Sequence, residues 1–327
     1  MTSNLNRRDF MKTTTATAAA LGTGVLADRL MPNTAEAAEK LVPIVDTHQH
    51  LWDLKLLKLP WLGGENVQSI NRDFVMSHYL EATKEVNVVK TVYMEVNVHE
   101  TYWEKEADYV IDLCKADDNP MAGAVIGGYP FHDRFADYIK KYAKNDYIKG
   151  VRTVLHDPDR KKGMCLEPKF VENVKLLGEL GLSFDLCMRS DEIADGVKLA
   201  EMCPKTRFVV DHCGNMSVTS DDKKLRKAWK QGIKAAAKTE NMVCKISGIV
   251  VTADKDWKAG DLAPNMNFCM DKFGEDRAYF GGDWPVCTLK SSFKQWVDAL
   301  KWITKDKSPE FRKKLFHDNA VKFYGLS

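Results

Sequence analysis

From residue 43 onward, short apolar runs alternate with longer stretches whose apolar residues recur at i, i+3 and i+4. The first pattern marks buried strands and the second amphipathic helices. A first strand beginning at Pro43 ends in His48-Gln49-His50. Further strands are predicted at 88–96, 122–129, 148–155, 182–188, 207–211, 242–247 and 278–282. Helices are predicted at 73–86, 101–115, 133–143, 168–180, 191–202, 221–238, 262–273 and 291–304. A last helix takes Ser308 as its N-cap and Pro309 as its first residue. Eight strands, each followed by a helix, give the count of a (β/α)8 TIM barrel in a single domain. An open doubly wound sheet also alternates, but it wants a glycine-rich turn after the first strand, where His48 and His50 stand. The connection from Leu51 to Arg72 carries Trp52, Trp61 and a Gly63-Gly64 pair. It is too long for a plain link and reads as a lid over a site.

The chain before residue 43 has a different character. Arg7-Arg8, then Phe10 and Lys12, precede a mild Thr/Ala/Gly/Leu run and an Ala35-Glu36-Ala37 site, the order of a twin-arginine export signal. A basic tail or a general secretory signal fits that order less well. The run is too short and too rich in Thr and Gly for a membrane anchor. The expected organisation is a signal peptide over 1–37 and a barrel over 38–327, delivered to the periplasm or secreted.

Charge adds exclusions. The 327 residues carry a formal net charge of only +2, and the two signs read as interleaved without a long single-sign run, so nucleic acid is not an expected partner. The expected partner is a small-molecule substrate, with a homo-oligomer left open. Eight cysteines show no Cys-x-x-Cys spacing, and several fall inside strand patterns, so they read as small buried hydrophobes rather than bridges.

The chemistry collects at strand ends. Two histidines at i, i+2 on a strand share a face about 6–7 Å apart, where one divalent ion or one substrate can engage both. Later strand ends offer Glu95, Arg152 with His156 just beyond, Asp185, Asp211-His212, Lys245, and Asp283 within Gly281-Gly282-Asp283-Trp284-Pro285. Each has a structural alternative. Glu95 and Lys245 read equally well as an internal salt bridge, Asp185 as a partner for a neighbouring backbone group or an arginine, and Asp46 and Asp211 as caps on backbone amides. His99, His132 and His317, and the helix tryptophans Trp229, Trp296 and Trp302, read as structural.

Five segments in order, Asp46–His50, Lys149–Arg152, Val209–Gly214, Cys244–Gly248 and Phe280–Pro285, resemble the amidohydrolase-2 family. Within it they are most similar to the branch of sugar-lactone hydrolases. The resemblance implies that His48, His50, His212 and Asp283 surround one divalent ion, zinc first, with Asp283 as the general base. Some members of the branch work without a metal, so the resemblance implies one ion or none. No lysine stands at the end of strand four to bridge two metals; Arg152 is there instead.

Lactone hydrolysis needs a base for water, a group that polarises the carbonyl, and stabilisation of the departing alkoxide. Asp283 is the candidate base, and His48, His50, His212 and Arg152 the candidate polarisers, with or without a metal. Trp52, Trp61, Glu95, His156, Lys245 and Trp284 are the candidate substrate contacts. Two alternatives stand beside the lactonase: a metal-dependent decarboxylase using the same residues with Arg152 on a carboxylate, and an exported carbohydrate-binding protein without turnover.

Overall fold

The computed structural model describes residues 42–326, so the expected signal peptide lies outside the described residues. Eight strands run in sequence order, each parallel to the next: β1 (Ile44–Gln49), β2 (Val88–Met94), β3 (Met121–Gly127), β4 (Ile148–Val154), β5 (Ser183–Cys187), β6 (Arg207–Val210), β7 (Met242–Ile246) and β8 (Ala278–Phe280). Between them lie α1 (Met76–Thr83), α2 (Trp103–Lys115), α3 (Phe135–Tyr142), α4 (Pro168–Glu179), α5 (Ile193–Met202), α6 (Lys223–Lys238) and α7 (Ala259–Phe273). The chain ends with α8 (Phe293–Ile303), α9 (Pro309–Lys313) and α10 (Asn319–Tyr324). This is the expected (β/α)8 barrel. No helix among the described residues is long and apolar enough to cross a membrane.

Strand alternation sorts the core into two layers. Val45, Val92, Val125, Val209 and Tyr279 form one cluster inside the barrel, with Ala320, Tyr324 and Leu326 packed against it. The residues next to them, Ile44, Tyr93, Ala124, Phe208 and Phe280, belong to the larger layer shared with the helices. The same alternation turns the charged side chains of Arg152, Asp185 and Lys245 inward, since their neighbours Val151, Phe184 and Ile246 face the helices.

The seam between β1 and β8 is sewn largely by side chains. Asp46 accepts from the backbone N–H of Gly282 at 2.7 Å, from that of His48 at 3.0 Å and from the Tyr79 hydroxyl at 2.8 Å. Thr47 donates its hydroxyl to the Phe280 carbonyl at 2.6 Å, and the His50 N–H donates to the Trp284 carbonyl at 2.8 Å. Asp46 is therefore the amide cap that its position allowed, and it ties the first histidine turn to the last acidic turn.

Several expectations shift in detail. Helix α7 starts three residues early, because Asp261 accepts from the Lys258 N–H at 2.8 Å and caps the earlier turn. Ser308 does cap α9, accepting from the Phe311 N–H at 3.1 Å. The connection 51–72 is a folded wall with two short 3-10 turns, Pro60–Gly63 and Glu65–Ile70. Trp302 is half exposed, unlike the buried Trp229 and Trp296. All eight cysteines are buried and free.

Candidate active site

At the carboxyl ends of the strands, a cavity of about 530 Å³ is lined by His50, Arg152, His156, His212 and Asp283, with Trp61 on one wall. Two of these residues sit in strained backbone. His212 and Asp283 have φ of 52° and 55°, left-handed values that non-glycine residues adopt at a cost. Each turn is held from behind by a buried indole: Trp229 Nε1 donates to the Cys213 carbonyl at 2.8 Å, and Trp296 Nε1 to the Gly281 carbonyl at 3.1 Å. Gly248 completes the fit. Its φ is 61°, and a Cβ there would lie 2.1 Å from Nδ1 of His212.

The histidines are oriented individually. His50 Nδ1 donates to the Met94 carbonyl at 3.0 Å, which leaves its Nε2 facing Asp283 Oδ1 at 3.3 Å. Arg152 Nη1 donates to His48 Nε2 at 3.1 Å, so His48 carries its proton on Nδ1, where it has no hydrogen-bond partner. His212 Nδ1 shares a hydrogen bond of 2.9 Å with the Ser247 hydroxyl. Burial, then Lys245 and His212, holds the His48 pKa well below the usual histidine value. Burial also lowers His212, against the pull of Asp283 and Asp211, and lowers His156 against Asp157. These imidazoles are neutral near pH 7, and the one lone pair of His48, on Nε2, is already taken by Arg152.

Beneath the cavity lies a chain of buried charges of alternating sign. Glu95 receives Arg152 Nε at 2.6 Å; Arg152 Nη1 lies 3.7 Å from Asp211; Lys245 lies 3.1 Å from Asp211 and 2.7 Å from Asp185. Burial would strip Lys245 of its proton, but Asp185 and Asp211 hold its pKa above the usual value. Burial also pushes Asp211 up, yet Lys245, His212 and Arg152 outweigh it and bring it below the ordinary range. Asp185 has less help, and burial lifts it to about 7. Glu106, which sequence reasoning did not single out, is pushed up to about 8 by burial and by Glu95. It accepts from the Val96 N–H at 2.8 Å and the Tyr93 hydroxyl at 3.1 Å.

The donor set suits a divalent cation. His50 Nε2 and Asp283 Oδ1 are two acceptors facing each other, an arrangement that calls for a proton or a cation between them. Two trios, His48–His50–Asp283 and His48–Asp211–His212, each bring their donor atoms within 4.8 Å of one another. His48 belongs to both, and its Nε2 is the atom that Arg152 holds.

The expected site residues thus separate. His50, Arg152, His156, His212, Asp283 and Trp61 reach the cavity, and His48 lies directly behind. Trp52 and Trp284, expected at the substrate, are buried in the wall: Trp52 against Trp61 and Phe74, Trp284 against Phe74 and Tyr79. Glu95 and Lys245 are ion-paired below the floor, each with partners other than the one expected. Asp185 pairs with Lys245, rather than with a backbone group or an arginine. Asn97, Asp157 and Arg189 also line the cavity and were not foreseen. Arg189 follows the end of β5 and fell within reach of the strand-end reading; Asn97 and Asp157 lie in loops without a periodic signal.

Known proteins place this geometry. A twin-arginine translocation signal matches residues 4–24, which directs the chain to export by that route. An uncharacterized protein, y4mH, of Sinorhizobium fredii is 28% identical over 86% of this chain and 98% of its own length. An L-fucono-1,5-lactonase of Burkholderia multivorans is 24% identical over 86% of this chain and 96% of its own length. A zinc-bound amidohydrolase from Burkholderia multivorans superposes with a TM-score of 0.77 at 20% identity, over 87% of this chain and 99% of that one. The amidohydrolase family matches residues 45–326, and with eight parallel strands opening on a His/Asp site the chain belongs to that family.

Proposed function

We propose that this enzyme hydrolyses a small, uncharged, hydroxylated lactone of the sugar aldonolactone type, with Asp283 as the base. What carries the reading is the state of the cavity's charges. Asp283 faces open volume, while both guanidinium groups on the lining are already engaged. Arg152 is bonded to the Glu95 carboxylate, the Glu95 carbonyl at 2.9 Å and His48. Arg189 donates to Glu192 at 2.8 Å and to the carbonyls of Leu155, Asp157 and Arg160. A carboxylated substrate would have to break these pairs, whereas a polyol ring meets acceptors and donors at Asp157 and His156 and an indole at Trp61.

Asp283 takes a proton from the attacking water and returns it to the ring oxygen as the acyl–oxygen bond breaks, leaving a hydroxy acid. Arg152, which lines the cavity, faces the carbonyl oxygen as it gains charge. His48, His50, His212 and Asp283 would hold a divalent ion, zinc first, which when bound supplies Lewis acidity. The likeness to the lactonase supports lactone chemistry on the same fold.

A panel of aldonolactones followed with a pH indicator, with and without chelator, tests the reading. Acid release from uncharged lactones is the expected result. Carbon dioxide released from an aromatic acid would establish the decarboxylase instead, and saturable sugar binding without acid release would establish a binding protein.

A further inference from the structure

Helix α6 stands apart from the interleaved charge expected of the chain. Residues 223–238 hold seven basic side chains and no acidic one, so the rest of the chain, which totals +2, carries −5. Lys223, Lys227, Lys230, Lys234 and Lys238 are spaced i, i+4, i+7, i+11 and i+15, and all five are exposed. At 100° per residue they fall within one narrow arc. The stripe extends about 22 Å along the axis at 1.5 Å per residue. The opposite face buries Trp229, Ile233 and Ala236 against the barrel.

Several lysines elsewhere on the surface are paired with an acid: Lys84 with Glu81, Lys115 with Asp112, Lys198 with Asp195 and Lys307 with Asp271. None of the five stripe lysines has an ion-pair partner among the described residues. Arg226 is spent on structure, donating to Asn265 at 3.0 Å and to the Ser220 carbonyl at 2.7 Å. The acids nearby flank the helix ends: Asp222 caps the first turn through the Lys224 and Leu225 N–H groups, and Glu240 follows the last turn. A shallow depression of about 410 Å³ runs between Lys223, Lys227, Lys230 and Lys234.

We propose that this stripe docks the exported enzyme peripherally on an anionic phospholipid surface, the depression receiving headgroup phosphates. A straight row of ammonium groups without ion-pair partners among the described residues, one of them (Lys230) 5.5 Å from the centre of the Phe268 ring, matches a plane of negative charge. The face presents no exposed large apolar side chain, so binding is electrostatic, without insertion. Export through a membrane delivers the protein beside such a surface.

The test is co-sedimentation of the exported protein with vesicles of phosphatidylcholine alone or with about 30% phosphatidylglycerol, at about 50 mM salt. Binding to the anionic vesicles should exceed that to neutral ones by at least tenfold and be lost at about 0.5 M salt. Lys227→Glu/Lys230→Glu/Lys234→Glu should reduce it by roughly 100-fold, near fivefold per lysine, with the circular dichroism spectrum unchanged. The matched change Lys84→Glu/Lys115→Glu/Lys198→Glu, at paired lysines, should alter binding less than about threefold. Equal binding to both vesicle types, equal losses in the two triple variants, or capture by soluble polygalacturonate with none by vesicles would overturn the proposal.

Discussion

The mouth and the floor of the barrel are built from the same residue types, a few ångströms apart, and they behave in opposite ways. On the floor, Glu95, Arg152, Asp211, Lys245 and Asp185 alternate in sign, and most of the charge is cancelled by a neighbour. At the mouth, Asp283 and His50 turn acceptors toward each other over open volume, and His212 and Asp283 are held in strained turns by Gly248, Trp229 and Trp296. A strand-end acid is therefore a candidate for chemistry when it faces open volume rather than a buried counter-charge. Arg152 belongs to both regions, because it ties the floor to His48.

The sharpest way to break the comparison is Asp283→Asn. The variant keeps the shape and removes the base, so kcat should fall roughly 10²–10⁴-fold with the melting temperature nearly unchanged. An active but less stable variant would move Asp283 to the structural side. Lys245→Met should do the reverse: it leaves Asp185 buried without its cation and Asp211 with Arg152 alone at 3.7 Å, and costs about 3–5 kcal/mol in urea denaturation. Adding Asp185→Leu should restore part of that loss; no restoration would mean that the floor pair is not what Lys245 stabilises.

Glu106 sharpens the floor by its pH response. Its carboxyl is raised from 4.5 to about 8 in the fold, so its contribution to stability is full below about 4.5 and is lost as pH rises through 8. Glu106→Gln should remove a fall in stability of at most about 1.4 kcal/mol per pH unit across that window, and parallel denaturation curves at pH 5 and 8 for both proteins would contradict it. The smallest effect concerns the mouth wall. Trp61 lines the cavity and donates Nε1 to the Val96 carbonyl at 2.8 Å. Trp61→Ala should raise KM about tenfold while kcat changes little, and unchanged kinetics with a lower melting temperature would assign Trp61 to packing.

The sequence by itself determined the barrel and put the candidate histidines and Asp283 at strand ends, because strand and helix periodicities and a His-x-His pair are local signals. It also supplied most of the strand-end charges, though not Arg189 just past β5 or Asp157 beyond β4. Only the tertiary structure decided which of them are free. Glu95 finds Arg152 57 residues away, Lys245 finds Asp185 60 residues away, and Asp46 reaches the amide of Gly282 across 236. Such pairings depend on which strands become neighbours and on side-chain lengths inside a closed barrel. The tryptophans follow the same rule: Trp52 and Trp61 share one loop, but the first is walled in by Phe74 while the second borders the cavity. The lysine stripe was legible as i, i+4, i+7 spacing, yet its lack of partners was not, since an acid on an adjacent helix could have neutralised it, as Glu104 does Lys141 and Asp271 does Lys307. Burial and pairing are properties of neighbours in space, and the chain brings those neighbours together only when it folds.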